Sequence, residues 1–335
     1  MSDATGAKQA ALETAAVTFA RRAALEHAPG FFVAAPGRSL LRLCGADTIP
    51  FLQTKLTQDT RPWPARGGGY ATATDINGRI LFDLQAFGWG ERGWLLVLEE
   101  GRAESALAHF DRYLISEKVE LELLDDRLSV VALGGAEVAS RLGLEPLAEG
   151  QRTAEPWRDG WLLRGTGLAP ADALLVLPRE VVAEALEALE ALAALGLEAA
   201  TPAEFDALRV AAGRARIGFD DGAGAIPLEL GLWEAMSFRK GCYLGQEIIE
   251  RLFSRSTPAR RLMRLASPVA LTPGTPVLAG GEVVGTVTGV VAASEGVEAL
   301  GLLKRAVLDG SVALTAGGAP LTILGFVGGE RPTQV

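Results

Sequence analysis

Lys240-Gly241-Cys242-Tyr243-Leu244-Gly245-Gln246-Glu247 brings a cation, a thiol, an amide and a carboxylate into eight residues, around one of the chain's two cysteines. Such a set makes little sense as core packing. Gly241 and Gly245 suit backbone that turns tightly or lets another group come close. From Gln246 onward the chain predicts a helix, with Ile248, Ile249 and Leu252 on one face. Cys242 then precedes a helix N-terminus and stands two residues from Lys240, a setting that favours a thiolate. A buried structural cysteine in a turn is the plainer alternative. On the first reading, Cys242 is a reactive or redox-sensitive residue, with Lys240, Gln246 and Glu247 as its companions.

Two further groups carry candidate chemistry. Asp75 and Asp83 invite an acid/base role, or Asp75 starts a turn and Asp83 sits on a polar strand face. Arg239, Lys240, Arg251, Arg255, Arg260, Arg261 and Arg264 crowd the region around the octet. In an acidic chain such a cluster can hold an anion through charge-assisted contacts, or it is a solvated, salt-bridged face.

The elements that must position these groups read as follows. Arg38 to Leu43 alternates as a strand, and Asp47 offers an N-cap for a helix through Phe51, Leu52, Lys55 and Leu56. Strands at 70–75 and 79–87 flank Asn77-Gly78, a strong hairpin signal. In the second, Ile80, Phe82, Leu84 and Ala86 point one way, and Arg79, Leu81, Asp83 and Gln85 the other. Trp94 to Leu98 reads as a buried central strand, 101–114 as a helix and 119–133 as strands. Trp161 to Arg164 and Leu174 to Leu177 read as strands of a second unit. Pro178 opens a helix striped by Leu186, Leu189, Leu192 and Leu195 and stopped by Gly196. Thr201-Pro202-Ala203-Glu204 is a capping box that starts a helix to about Gly213. Beyond Pro258, short Val/Thr-rich segments alternate with glycine turns, as in a small barrel or sandwich.

Composition narrows the functions. A length of 335 residues calls for two or three domains, and 49% hydrophobic with 22% charged residues is ordinary for a globular chain. No apolar run is long enough to span a membrane, and the N-terminus carries no secretory signal, so a reducing cytoplasm is expected. Two cysteines and two histidines exclude a disulfide scaffold and a self-contained iron–sulfur site, so no permanently bound metal is expected. A net charge of −9 argues against broad nucleic-acid binding.

The octet resembles the K-G-C-[FY]-x-G-Q-E signature of the YgfZ-type folate-binding proteins, relatives of the aminomethyltransferases (GcvT-like) that serve iron–sulfur cluster assembly and repair. Four other segments resemble that family in order. They are Gly45-Ala46-Asp47 with 51–59, Thr74 to Arg79, 226–232 ahead of Ser237-Phe238, and 273–277. Together they span roughly residues 35 to 325.

The resemblance implies an α+β fold of GcvT type: two intertwined α+β units around a central opening, followed by a small C-terminal β-barrel-like domain. The expected spans are a helix or loose tail at 1–28, a folate-binding core at 29–257 (units 29–150 and 151–257), and the β domain at 258–330. It further implies folate or tetrahydrofolate as ligand, possible polyglutamyl tails for the arginine cluster, and iron–sulfur enzymes or cluster-assembly proteins as partners. Candidate folate contacts are Phe205, Arg209, Asp75, Arg239, Lys240, Tyr243, Arg251 and Arg255, and Cys242 is the candidate for a transient iron contact. Two departures stand out. Phe82-Asp83 occupies the place of an adjacent acid pair in true aminomethyltransferases, and Ala211 replaces the carboxylate of an R-x-E-A-G motif. If Phe82 faces the opening, a ring replaces the required acid. The leading expectation is therefore an accessory protein that supports tRNA modification indirectly. A tetrahydrofolate-dependent aminomethyl- or methyltransferase and a direct tRNA-binding protein are the alternatives.

Overall fold

The computed structural model describes residues 12–329 except 35, 136, 149, 169–170, 192–196, 223 and 256. The first of two sheets runs Leu197–Ala199, Gly30–Ala34, Leu128–Gly134, Ala171–Pro178, Gly160–Leu168, Thr153–Trp157. Its Gly30–Ala34 and Leu197–Ala199 strands pair in parallel, and the other neighbours are antiparallel. The second sheet is antiparallel throughout, in the order Gly68–Thr74, Ile80–Gly88, Trp94–Glu99, Arg38–Cys44, Glu120–Leu123. Two strands from the N-terminal half, Gly30–Ala34 and Leu128–Gly134, thus belong to a sheet completed by residues 153–199. That exchange is the intertwining of the α+β fold. Residues 260–326 supply six strands that close into a barrel.

Strand parity decides what each sheet face meets. In Ile80–Gly88 the residues Phe82, Leu84 and Ala86 pack with Phe51 and Leu52 of helix Thr48–Lys55 and with Ala106 and Phe110 of helix Ala103–Asp111. Phe82 meets Phe110 edge-on, with centroids 5.6 Å apart. Phe87, on the opposite face, joins Phe31, Val130, Leu163 and Leu174 of the first sheet. The two sheets therefore face each other, and Asp83 and Gln85 point between them. Phe82 does not face the opening. The condition on which a ring would displace the acid is not met, because the helices cover the even-numbered face.

Local signals account for several boundaries. Thr201 and Glu204 form the reciprocal capping box of helix Pro202–Ala211. Asp47 makes no cap hydrogen bond to its helix, and its carboxylate instead accepts from Lys118 N at 2.8 Å. The helix after Pro178 is Val182–Ala191, preceded by a single 3-10 turn. Leu192, Leu195 and Gly196 of the expected stripe lie outside the described residues, as do residues 1–11 of the leading segment. Residues of that segment which are described include helix Phe19–His27, capped by Thr18.

Candidate functional site

The octet is a junction of separate motif segments. Lys240 is buried, and its ammonium donates to the carbonyls of Gln53 (2.7 Å), Leu56 and Gln58 (2.9 Å). These groups end the Thr48–Lys55 helix and begin the following loop, so the cation satisfies carbonyls that the helix leaves unpaired. Burial pulls its pKa down to about 7, against the attraction of Asp59. Gly245 has φ +79°, and a Cβ there would stand 2.4 Å from the Asp75 carbonyl oxygen. Close approach to the 75–79 turn thus requires glycine. Thr74 Oγ1 donates to the Leu244 carbonyl at 2.6 Å across the same contact. Gly241, by contrast, has open space around it and an ordinary backbone.

Most of the octet's side chains are occupied by this assembly. Tyr243 packs with Ile226, Leu228, Met236 and Ile249. Gln246 accepts from Tyr243 N at 3.3 Å and donates to Glu250 at 2.6 Å. Asp75 accepts from Asn77 N and Arg79 N and holds the hairpin turn. Cys242, Glu247 and Arg239 are exposed. Lys240 is therefore an anchor turned into the protein, not a cation standing at the thiol, and Tyr243 is core, not ligand wall.

The second region lies between the sheets. Three chambers share walls in series. A wide one of about 570 Å³ is bounded by Gln58, Asp59, Trp63, Arg66, Gln151 and Arg152 among others. Tyr70, Arg152 and Glu234 are common to it and a narrow chamber of about 60 Å³ that also meets Asp83, Gln85, Phe205 and Arg214. Arg38, Phe205 and Arg209 join the narrow chamber to a third of about 170 Å³ bounded by Glu13, Thr14 and Asp206. The wide chamber has the size of a small-molecule site, whereas the narrow one has room for no more than a few waters.

Polar groups of the passage are arranged pairwise. Tyr70 OH donates to Asp83 Oδ2 at 2.9 Å. Burial raises the Asp83 carboxyl above its ordinary value, with the Tyr70 hydrogen bond and Arg38 opposing. A carboxyl so placed keeps its proton to higher pH than an exposed one, which suits it better to proton transfer. Arg209 is bound by Asp206 at 2.6 Å and Asp220 at 2.8 Å, and Arg216 reaches Glu99 at 2.7 Å. Arg209 is thus the centre of a buried ion network, not a free folate contact. Phe205 lies against Phe31, with centroids 6.4 Å apart, and keeps its place on the cavity wall.

Arg251 and Arg255 are exposed on helix Gln246–Arg255 and bound none of the three chambers. Arg260 is paired with Glu229 at 2.8 Å, Arg264 with Glu298 at 3.6 Å, and Arg261 stacks on Trp233 and Phe326. The expected tail-binding cluster is dispersed. The cavity draws its arginines from positions 38, 66, 152, 209, 214 and 216, of which only Arg209 was expected. The available signal was Asp83 and Gln85 themselves, polar residues sharing the parity of buried Phe87. Among the described residues no group of three or more His, Cys, Asp or Glu is arranged to hold a metal, and no helix is long and apolar enough to cross a membrane.

This architecture is that of the glycine cleavage aminomethyltransferases. The aminomethyltransferase T of Bartonella henselae matches with a TM-score of 0.76 at 21% identity, covering 95% of this chain and 88% of that one. No family model matches the sequence. The chain is similar to the human mitochondrial iron–sulfur cluster assembly factor IBA57, 30% identical over 281 residues that cover 74% of this chain and 71% of that protein. The tRNA-modifying protein YgfZ of Sodalis glossinidius is 28% identical over 74% of each chain. An aminomethyltransferase of Rubrobacter xylanophilus is 30% identical over 73% of this chain and 67% of its own. The chain belongs to the YgfZ/GcvT-like family.

Proposed function

We propose that this protein is a folate-binding accessory factor for the assembly or repair of iron–sulfur enzymes, with Cys242 as its reactive residue. The observation that carries the reading is the separation of the two regions. The thiol is exposed on a loop anchored by Lys240 and Gly245, and it bounds none of the cavity chambers. A thiol so held meets a partner protein rather than a ligand in the cavity. Kinship with IBA57 and YgfZ supports iron–sulfur enzymes or cluster-assembly proteins as those partners. Effects on tRNA modification then follow indirectly, through iron–sulfur enzymes that act on tRNA.

A tetrahydrofolate suits the cavity. The wide chamber is large enough for a guest of that class, and Tyr70 and Arg152 on its wall, with Asp83 and Gln85 in the narrow chamber beyond, offer donors and acceptors to a ring edge turned towards them. Phe205 adds an aromatic wall. A polyglutamyl tail leaves by the wide end, past Asp59 and Arg66, without calling on Arg251 or Arg255.

Asp83 favours a second reading, a tetrahydrofolate-dependent aminomethyl- or methyltransferase, because a buried carboxyl does face the cavity. Complementation of a deletion strain separates the two. The accessory reading expects Cys242→Ser to lose rescue of iron–sulfur enzyme activity under oxidative stress while Asp83→Asn keeps it. Rescue by Cys242→Ser, together with one-carbon transfer to tetrahydrofolate that Asp83→Asn abolishes, would replace it with the transferase.

A further inference from the structure

Around the passage between the sheets, nearly every charge has an opposite charge against it. Arg38 is paired with Glu99, Arg209 with Asp206 and Asp220, Arg216 with Glu99 and Asp206, and Arg214 with Glu234. Arg152 stands apart. Its Nη1 donates to Gln85 Oε1 at 3.1 Å and to the Thr166 carbonyl at 3.4 Å, both neutral acceptors, and its guanidinium lies over the Phe87 ring. Among the described residues no carboxylate comes within ion-pairing distance of it, and its Nε and Nη2 have no protein acceptor. Glu234 attracts it only from farther away, with its own carboxylate on Arg214.

An arginine in this position is costly to keep unless something else meets it. Burial lowers its pKa to about 10, so it remains charged at neutral pH. Its backbone is clamped as well. Arg152 N donates to the Arg66 carbonyl at 2.7 Å, and a Cβ on Gly67 would stand 1.8 Å from the Arg152 carbonyl oxygen. Arg152 thus stands, with Tyr70 and Glu234, on the wall that the wide and the narrow chambers share.

We infer that Arg152 is the receptor for a carboxylate of the ligand, at the junction of the two chambers. The free Nε–Nη2 edge is the fork that matches a carboxylate through two parallel hydrogen bonds. Among the other cavity arginines only Arg66, exposed on the wide chamber, lacks an ion pair among the described residues, so a second charge for a phosphate dianion would have to come from there. The identity of the carboxylate as a glutamate of folate rests on the reading proposed above. The anion site does not.

Calorimetry and thermal unfolding of the full chain with Arg152→Met and Arg152→Lys test the assignment. Tetrahydrofolate carries glutamate carboxylates, 6-methylpterin carries none, and glutarate is a carboxylate without a ring. Arg152→Met is expected to weaken tetrahydrofolate ten- to a hundredfold, to leave 6-methylpterin within twofold, and to abolish stabilisation by millimolar glutarate. Arg152→Lys should retain part of the tetrahydrofolate affinity. The ligand-free Arg152→Met protein should melt close to the parent, since the half-buried cation it loses has no ion pair and only two hydrogen bonds to neutral acceptors. Equal weakening of tetrahydrofolate and 6-methylpterin, unchanged tetrahydrofolate binding, glutarate stabilisation that survives Arg152→Met, or no glutarate stabilisation of the parent each overturns the assignment. If the parent binds neither pterin compound but shows Arg152-dependent glutarate stabilisation, the folate reading falls and the carboxylate site stands.

Discussion

The octet loop and the cavity between the sheets solve different physical problems and leave a similar remainder. In the loop the problem is backbone. Lys240 closes a helix C-terminus, Gly245 lets two turns touch, and Gln246 ties Tyr243 N to Glu250. In the cavity the problem is charge, and it is met by cross-linked arginines and carboxylates around Arg209. Each region spends many of its polar side chains on itself. Among the groups left over are the exposed Cys242 thiol in the loop and the Arg152 guanidinium edge in the cavity. A group that its own surroundings leave unengaged is the natural place to seek contact with something else.

The strongest way to break the contrast is to put cavity chemistry on the wrong face of the strand. Phe82→Asp places a carboxylate against Phe110 and His109, so it should destabilise by about 3–5 kcal/mol in urea titration. Asp83→Asn, one residue away, should cost no more than about 1 kcal/mol, because an amide still accepts from Tyr70. Comparable losses for the two would mean that the parity of Ile80–Gly88 has been misread.

Next in size are the loop's anchors. Lys240→Met leaves three carbonyls without their donor and should cost about 2–3 kcal/mol. Gly245→Ala meets the Asp75 carbonyl in a left-handed conformation and should cost about 1–3 kcal/mol. The same chemical-denaturation measurement on both would weaken the anchor role if either stayed within 0.5 kcal/mol of the parent, a margin typical of roughly neutral surface changes.

A pH titration sharpens the cavity side. Burial pushes the Asp206 carboxyl up, but Arg209, Arg216 and the Thr14 hydroxyl outweigh it and hold its pKa at about 2. Depressed below the ordinary 3.8, this group binds protons in the unfolded chain before it does in the folded one. Its contribution is complete above about pH 4 and is lost as pH falls towards 2. It amounts to roughly 2 kcal/mol. Asp206→Asn should remove this step from the acid-unfolding curve while also lowering stability at neutral pH. An unchanged acid limb would detach Asp206 from the network.

The smallest effects belong to the exposed side of the loop. Gly241→Ala and Cys242→Ser should each shift unfolding by no more than about 0.5 kcal/mol. The thiol of Cys242 should alkylate faster than that of Cys44, which is half-buried, donates to Glu120, and is pushed up in pKa by burial. Faster labelling of Cys44 would remove Cys242 from its proposed role.

The same particulars show what the amino-acid sequence discloses. The octet, the hairpin at Asn77-Gly78, the Thr201 capping box and the glycine-punctuated barrel are contiguous, so their chemistry stands side by side in the chain. Parity sorted Phe82 from Asp83 but could not say which face the helices cover, because that depends on residues 48–55 and 103–111 packing back. Lys240 looked like a partner for the thiol because its true acceptors are main-chain carbonyls, which no side-chain pattern reveals. Arg152 and Arg214 went unnoticed for another reason. They meet the cavity only after segments far apart in sequence have been assembled, whereas Arg251 and Arg255 drew attention by clustering along the chain.

The parallel pairing of Gly30–Ala34 with Leu197–Ala199 bears on how the chain is made. During synthesis the early strand emerges long before its edge partner, and it must wait beside Leu128–Gly134 with one side uncovered. Pairings this distant in sequence slow folding and leave a sticky edge exposed in the interval. The first sheet can be finished only when residues near 199 have left the ribosome, and Lys240 reaches its three carbonyls later still. Growth conditions that stall translation between these points should therefore favour aggregation, and the yield of soluble protein should fall most steeply for chains interrupted before the parallel strand is delivered.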